Sequence, residues 1–235
     1  MIENNNLLTT SEAKGNMLSK TMSNIYLFMA AGLALTGVVS FAVLNNEPLL
    51  RTILTNQFLF FGLIIAELAV VVILSTSIHK MTPMGATIAF AAYSVLNGIT
   101  LSPIFLIYTG ESIATTFFVT AGTFAGVSLF GYVTKKDLTG VGAIAGMALW
   151  GLILASIVNL FLRSSTLMLI TSYVGVVIFV ALTAYDTQAL KRMAEEMDMS
   201  DESTFVKFSI IGALKLYLDF INLFLMLLRI MGRRR

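Results

Sequence analysis

The chain has 235 residues, of which 57% are hydrophobic and only 12% are charged, and its mean hydropathy is +0.87. A soluble domain carries about 25% charged residues, so this composition indicates a polytopic membrane protein. The net charge of +2 gives no electrostatic case for nucleic acid as a partner. The lack of cysteine excludes disulfides and thiolate chemistry, and the one histidine, His79, excludes a multi-histidine zinc site.

Seven apolar segments follow one another along the chain, each long enough to cross a bilayer as a helix. They cover about residues 24–44, 57–78, 84–107, 112–133, 140–162, 166–190 and 205–230. The polar breaks between them are short, which favours antiparallel neighbouring helices. The sequence therefore predicts an all-α polytopic membrane protein, with a polar cytoplasmic segment at 1–22, a single seven-helix membrane domain at 23–232 and a basic tail at 233–235.

Basic residues are distributed unequally between alternate breaks, and this bias predicts the orientation of the chain. With the N-terminus in the cytoplasm, the outer loops hold only Arg51 and Arg163. The inner side collects Lys14, Lys20, Lys80, Lys135, Lys136, Lys191, Arg192 and Lys207. Seven complete spans would nevertheless put the arginines of the C-terminal end outside, so the side of the C-terminus stays open.

Two pairs of glycines have the GxxxG spacing that lets helix backbones approach closely. They are Gly122 with Gly126, and Gly142 with Gly146. We expect both pairs to pack helices inside the bundle, with a dimer interface as the alternative.

Two aspartates lie in the last two apolar segments. Asp186 is near the end of one segment, and Asp219 is inside the next. A carboxylate in hydrocarbon costs about 2.5–3.5 kcal/mol on insertion scales, so such residues mark functional sites. The two are equidistant from a turn expected at about 202–203, which puts them at one height in an antiparallel hairpin. We expect them to share a proton and titrate as a unit, as a pH sensor; the alternative is two separately solvated carboxylates.

Several other polar residues in or beside the apolar segments are candidates. Glu67 either lines an ion path or hydrogen-bonds a Thr or Tyr of another helix. Lys215 precedes Asp219 by one turn, and it either pairs with that aspartate or snorkels to the interface. His79 is expected in a loop, with a second pH-sensitive element as the alternative. Pro103 should kink the third segment.

Three motifs resemble the Bax inhibitor-1 family, also called the transmembrane Bax-inhibitor-motif family, and the compact loops resemble its bacterial members. They are AlaTyrAspThrGln at 184–188, GlyAlaLeuLysLeuTyrLeuAspPheIleAsnLeuPheLeu at 212–225 and GlyIleThrLeuSerProIle at 98–104. The resemblance implies six helices around a central seventh, and a cytoplasmic (inner) membrane location if the chain is bacterial. It also implies a pH-sensitive calcium leak governed by two aspartates, which are Asp186 and Asp219 here.

One departure from the family pattern concerns the end of the second helix. Bacterial relatives can carry an arginine there that latches the aspartate of the sixth helix. Ile78 lies near the expected place in this chain. His79 or Lys80 would therefore have to substitute for that arginine as a modulator of the site. Glu67, by contrast, matches an acid that bacterial relatives also show on this helix.

The leading functional interpretation is a calcium leak channel, with calcium as the permeant ion and no cofactor. Glu67, Asn222 and the two aspartates would supply transient oxygen ligands, and no tight metal site is expected. A proton-coupled transporter and a membrane-embedded regulator of other membrane proteins are the alternatives. An intramembrane aspartyl protease is disfavoured, because Asp219 follows LeuTyrLeu where those enzymes usually have GlyXGly. We therefore expect no enzymatic activity.

Overall fold

The computed structural model describes residues 2–197 and 201–235, with side chains from residue 15 onward. Among these residues, seven helical stretches are long and apolar enough to cross a membrane. The helices are α1 (Ile2–Leu44), α2 (Glu47–Thr55), α3 (Gln57–Ser77), α4 (Pro83–Leu101), α5 (Ile104–Ile107), α6 (Gly110–Val133), α7 (Thr139–Leu162), α8 (Ser165–Glu196) and α9 (Glu202–Met231). The predicted all-α class with seven candidate spans is thereby confirmed.

Polar residues in the predicted breaks begin several of these helices. The Thr82 hydroxyl accepts the Gly85 N–H at the start of α4, where Pro83 occupies the first helical position. The Thr109 hydroxyl accepts the Ser112 N–H at the start of α6. Such side chains satisfy donors that the first turn of a helix leaves unpaired, so the breaks define where the membrane helices start.

The break that follows α1 contains a short helix that the sequence analysis did not predict. Asn46 caps α2, and Leu50 and Ile53 are buried beneath it. Its remaining face carries Glu47 and Arg51, which are exposed. The apolar residues are spaced three apart and form one stripe, but nine residues are too few to produce a long apolar run.

Pro103 interrupts the third span, as predicted. Helix α4 ends at Leu101, and the chain resumes as α5 at Ile104. The Ser102 hydroxyl donates to the Ile99 carbonyl at 2.8 Å, which satisfies one acceptor near the break. Proline lacks the N–H that a continuous helix requires, so the interruption follows from this residue.

The chain forms two compact units, and the first comprises residues 1–102 and 190–214. In this unit α1 packs against α4, and α3 packs against α4. The Thr36 hydroxyl donates to the Ser94 carbonyl at 2.9 Å, and the Ser40 hydroxyl donates to the Gly98 carbonyl at 2.7 Å. Gly98 lies so close to the backbone of Thr36 that a Cβ atom there would clash. Small and hydroxyl-bearing residues thus pack α1 on α4.

The second unit comprises residues 103–189 and 215–235. A buried cluster joins Leu152 of α7, Ile178 and Phe179 of α8, and Leu223 and Met226 of α9. Apolar contacts between these three helices therefore hold the C-terminal half of α9 in place.

The C-terminal residues of the second unit pair with the connection between α5 and α6. The Thr109 N–H donates to the Arg233 carbonyl at 3.1 Å, and the Arg235 N–H donates to the Ile107 carbonyl at 2.9 Å. The Arg233 N–H donates to the Ser112 hydroxyl at 2.8 Å. The basic tail and this connection therefore lie at the same end of α6.

Most of the glycines in the two GxxxG pairs do not lie at the helix contacts that were predicted for them. A Cβ atom added at Gly122, Gly126 or Gly146 would meet no other group within 4 Å among the described residues. Gly142 alone is in close contact, with the ring of Tyr185. The prediction that both pairs pack helices is therefore wrong for three of the four glycines, since these glycines do not lie on the contact face of their helix.

Helix α9 is the most buried of the seven candidate spans. Within its most apolar window 67% of the residues are buried, whereas the other spans range from 6% to 39%. This burial explains how a helix with Lys215, Asp219 and Asn222 can lie in a membrane. The central position of this helix among six others stays a prediction.

Two sequence predictions fall at the margins of the described residues. Helix α1 runs without a break from Ile2, so the predicted limit at residue 22 lies inside a helix. The predicted turn at 202–203 is misplaced, because α9 already begins at Glu202 and the polar connection precedes it. The remaining part of that polar break, residues 198–200, lies outside the described residues.

Candidate functional site

The two aspartates singled out from the sequence come together in the second unit. Asp186 lies on α8 and Asp219 on α9, and they are 4% and 5% exposed. Their carboxyl groups lie within hydrogen-bonding reach of each other. The second carboxyl oxygen of Asp219, Oδ2, is buried and has no hydrogen-bond partner among the described residues. The structure thus contains a close pair of buried carboxyl groups.

Lys215 supplies a positive charge to this pair. Its Nζ lies 2.8 Å from Asp186 Oδ1, and it lies 5.4 Å from the centre of the Tyr185 ring. The sequence spacing pointed to Asp219, one turn further along the same helix, but the ion pair is formed with Asp186. Lys215 of α9 reaches Asp186 because α8 and α9 lie side by side at this point.

Residues 184–188 position Asp186 through contacts on both sides of it. Ala184 packs against Gly131 of α6, and Tyr185 packs against Gly142 of α7. The Thr187 hydroxyl donates to the Ser128 hydroxyl at 3.3 Å. Because glycine lets the helices approach closely at two points, this stretch of α8 is held in register against α6 and α7.

Gln188 completes this motif with a role that the sequence analysis missed. Its Oε1 accepts the Leu138 N–H at 2.9 Å, and its Nε2 donates to the Lys136 carbonyl at 2.8 Å. The residue is 5% exposed, and its side chain fixes the connection between α6 and α7. A glutamine at the end of an apolar run was the available signal, because a buried amide requires partners.

Aromatic side chains surround the α9 residues that neighbour Asp219. The Phe220 ring makes edge contacts with Phe117 and Phe124, and its centre lies 5.5 Å from each of their centres. Phe224, one turn further, contacts Phe117 at 6.4 Å. Edge-to-face packing of this kind fixes ring orientations, so α9 is anchored on α6 beside the carboxyl pair.

Glu67 lies in the first unit, in the middle of α3. Its Oε1 accepts a 2.5 Å hydrogen bond from the Thr100 hydroxyl, and its Oε2 accepts a 3.5 Å bond from the Asn97 amide. The sequence analysis offered a hydrogen bond to Thr or Tyr across helices as one of two interpretations. The structure contains that bond, while the role of Glu67 in an ion path stays a prediction.

The remaining candidates lie in separate surroundings. The Asn222 amide donates to the Leu218 carbonyl at 2.8 Å. Asn222 and Arg229 both line a cavity of about 300 Å³. His79 and Lys80 lie in a 3-10 turn after α3, and His79 lines a cavity of about 270 Å³ with Lys207. Within the described part of the chain, neither His79 nor Lys80 forms an ion pair.

No group of three or more His, Asp or Glu side chains converges among the described residues in a way that could hold a metal ion. The carboxyl pair has only two acidic members, and Lys215 already contacts one of them. Calcium takes six to eight oxygen ligands in its usual protein sites. Any cation at the pair would therefore have to keep much of its hydration.

Nearly the whole chain matches the model of a known protein family. The family model described as "Inhibitor of apoptosis-promoting Bax1" matches residues 18–235, which include both aspartates, six of the candidate spans in full and all but the first three residues of the other one. The chain belongs to the Bax inhibitor-1 family. The family resemblance predicted from the motifs at 98–104, 184–188 and 212–225 is thereby confirmed.

Bacterial relatives are similar to this chain over nearly its whole length. "Inner membrane protein YbhL" of Escherichia coli is 52% identical over 218 residues, covering 93% of each chain. An uncharacterized protein of Borreliella burgdorferi is 42% identical, covering 97% of this chain and 98% of its own. Protein RP147 of Rickettsia prowazekii is 42% identical, covering 97% of both chains. The chain is thus a multi-pass membrane protein similar to one of a bacterial inner membrane, and its predicted orientation stays a prediction.

Proposed function

We propose that this family member is a pH-sensitive calcium leak channel in which Asp186 and Asp219 share a proton and control the path. The observation that supports the proposal is the pair of buried carboxyl groups within hydrogen-bonding reach on two membrane helices. The proposed activity is permeation, with calcium as the ion, no cofactor and no bond made or broken.

The chemistry of carboxyl groups links this contact to protons. An ionised carboxylate only accepts hydrogen bonds, so two carboxyl groups bond to each other only when one of them keeps a proton. With that proton the pair joins α8 to α9. Without it, two negative charges face each other in a low-dielectric site, which favours their separation or the entry of a cation.

The size of this effect is sufficient for gating. A change of about 1.4–3 kcal/mol in the interaction of the pair shifts a closed–open equilibrium about ten- to hundredfold. Lys215 contacts Asp186 and also lies over the Tyr185 ring, so its charge takes part in this balance. We propose that Glu67 and Asn222 offer further oxygens along the path, which keeps every site weak enough for ions to leave.

The test is calcium flux into proteoliposomes between pH 5 and 8. Wild-type flux should depend on pH, and Asp186→Asn and Asp219→Asn should each flatten that dependence, because either change removes the shared proton. The double variant should add little to either single variant, since the coupled unit is already lost. Glu111→Gln, an exposed carboxylate in the first turn of α6, is the control and should keep the wild-type profile.

Two results would contradict the proposal. If both single variants keep the wild-type pH midpoint and slope, the pair is not the sensor. If flux of calcium requires a counter-moving proton gradient and stops when the gradient is removed, the protein is a proton-coupled transporter instead.

A further inference from the structure

Lys215 occupies the position at the carboxyl pair that suits a cation. Its ammonium contacts the Asp186 carboxylate at 2.8 Å and lies 5.4 Å from the centre of the Tyr185 ring. A carboxylate and an aromatic face are both groups that attract cations in proteins. A buried acceptor, Asp219 Oδ2, belongs to the same pair and has no partner among the described residues.

The two ends of this ion pair differ in their freedom to move. The Asp186 side chain is 6% exposed, whereas the Lys215 side chain is 41% exposed. Lysine carries its charge on a flexible four-carbon stem, so the ammonium can leave without a rearrangement of α9. The carboxylate, buried between helices, has no comparable freedom, and it would need another cation when the ammonium departs.

We propose that Lys215 is a tethered counter-ion, which occupies the cation position of the Asp186–Asp219 pair and competes there with calcium. The inference rests on the proposed function for its effect on flux, while its effect on binding follows from the contacts alone. When the pair holds one proton, the ammonium makes the three side chains electrically neutral together. Lys215 thereby lowers both the affinity for calcium and the leak.

Calcium binding to the purified protein at pH 7 tests the competition directly. Lys215→Met keeps the length of the stem and removes the charge, so it should bind calcium about tenfold more tightly than the wild type. Lys215→Arg keeps the charge and should stay near the wild-type affinity. Lys135→Met, at an exposed position after α6, is the control and should change nothing.

A second measurement uses the wild-type protein and does not depend on how the variants fold. If calcium displaces the ammonium, an amine-reactive reagent should label Lys215 faster at saturating calcium than in sodium at equal ionic strength. Mass spectrometry of the peptide that contains Lys215 gives this rate. Labelling of Lys135 in the same sample corrects for any general effect of calcium on the reagent.

The outcomes separate this inference from the proposed function. Unchanged calcium affinity in Lys215→Met, or unchanged labelling of Lys215 with calcium, overturns the counter-ion role even when wild-type flux depends on pH. A tighter site in Lys215→Met supports the counter-ion role even if proteoliposomes show no flux, in which case the leak proposal fails alone. When both hold, Lys215→Met should also leak calcium faster than the wild type.

Discussion

Asp201 lies immediately before α9 and is exposed, outside the candidate membrane span Glu202–Met231. Its Oδ2 accepts the Thr204 hydroxyl at 2.7 Å and the Thr204 N–H at 2.8 Å. These two hydrogen bonds, the hydroxyl first, lower the pKa of the Asp201 carboxyl below its usual value. An ionised side chain at this position also interacts favourably with the N-terminal end of the helix dipole.

The lowered pKa predicts a pH-dependent contribution to stability. Because the folded pKa is depressed, the contribution is present above the unfolded value of about 3.9 and is lost as the pH falls through the folded value. At pH 7 the melting temperature in detergent should fall in the order wild type, Asp201→Asn, Asp201→Ala, since asparagine keeps an acceptor. As the pH falls through the folded pKa the wild type and Asp201→Asn should converge, and a constant difference between them at all pH values would contradict the prediction.

Single residues of the site were predictable from the sequence to different degrees. Asp186 and Asp219 stood out because a carboxylate in an apolar run is costly. The partner of Lys215 was not predictable, because spacing along one helix shows only the neighbours on that helix, and Asp186 belongs to another. Gln188 was missed because its partners are backbone groups of the connection between α6 and α7, and a pattern of side chains does not indicate backbone partners.

At the scale of elements, α6 shows that two glycines of one helix can have opposite roles. A Cβ atom at Gly131 would collide with the backbone of Ala184 on α8, whereas one at Gly122 would meet nothing within 4 Å among the described residues. GxxxG spacing identified Gly122 and missed Gly131. The contact face of a helix depends on its rotation toward its neighbours, which the spacing of small residues does not fix.

Alanine substitutions at these two glycines should therefore have opposite effects. Gly131→Ala should destabilise the protein by about 1–3 kcal/mol, because the backbone of α8 has to move. Gly122→Ala should be neutral or stabilise by up to about 1 kcal/mol, because alanine restricts the unfolded chain. Unfolding in mixed micelles measures both, and equal stability of the two variants would show that α6 and α8 are not in close contact at Gly131.

The helices themselves were largely predictable, and their interruptions were less so. The ends of α6 and α7 follow the polar breaks, and Pro103 divides α4 from α5 as expected. Helix α2 was not predicted, because its stabilisation comes from burial of Leu50 and Ile53 against other parts of the chain. An apolar run shows where a span is, whereas a short amphipathic helix depends on the surface beneath it.

At the scale of the whole molecule, the hydrogen bonds of the basic tail (residues 233–235) indicate on which side of the membrane the C-terminal end lies. Helix α6 has 24 residues and is about 36 Å long, enough to cross the hydrocarbon core. The tail is hydrogen-bonded to residues 107–112 at the first end of this helix. Three arginines would then lie on the outer side of the predicted orientation, where the charge bias alone would not put them.

Cysteine labelling tests this arrangement on a chain that has no cysteine of its own. Glu111→Cys and Arg234→Cys should react with a membrane-impermeant maleimide from the same side. Lys136→Cys, beyond the other end of α6, should react only from the opposite side, which is the cytoplasm in the predicted orientation. Labelling of Arg234→Cys from the Lys136 side would contradict the pairing of the tail.

The ion pair between α8 and α9 has a consequence for biogenesis. Asp186 precedes Lys215 by 29 residues, so α8 reaches the insertion machinery before the ammonium that contacts Asp186 has left the ribosome. Until then the aspartate enters the bilayer protonated or meets a cost of about 2.5–3.5 kcal/mol. The two helices are therefore expected to integrate as a hairpin, and a nascent chain stalled between them should leave α8 only loosely retained in the membrane.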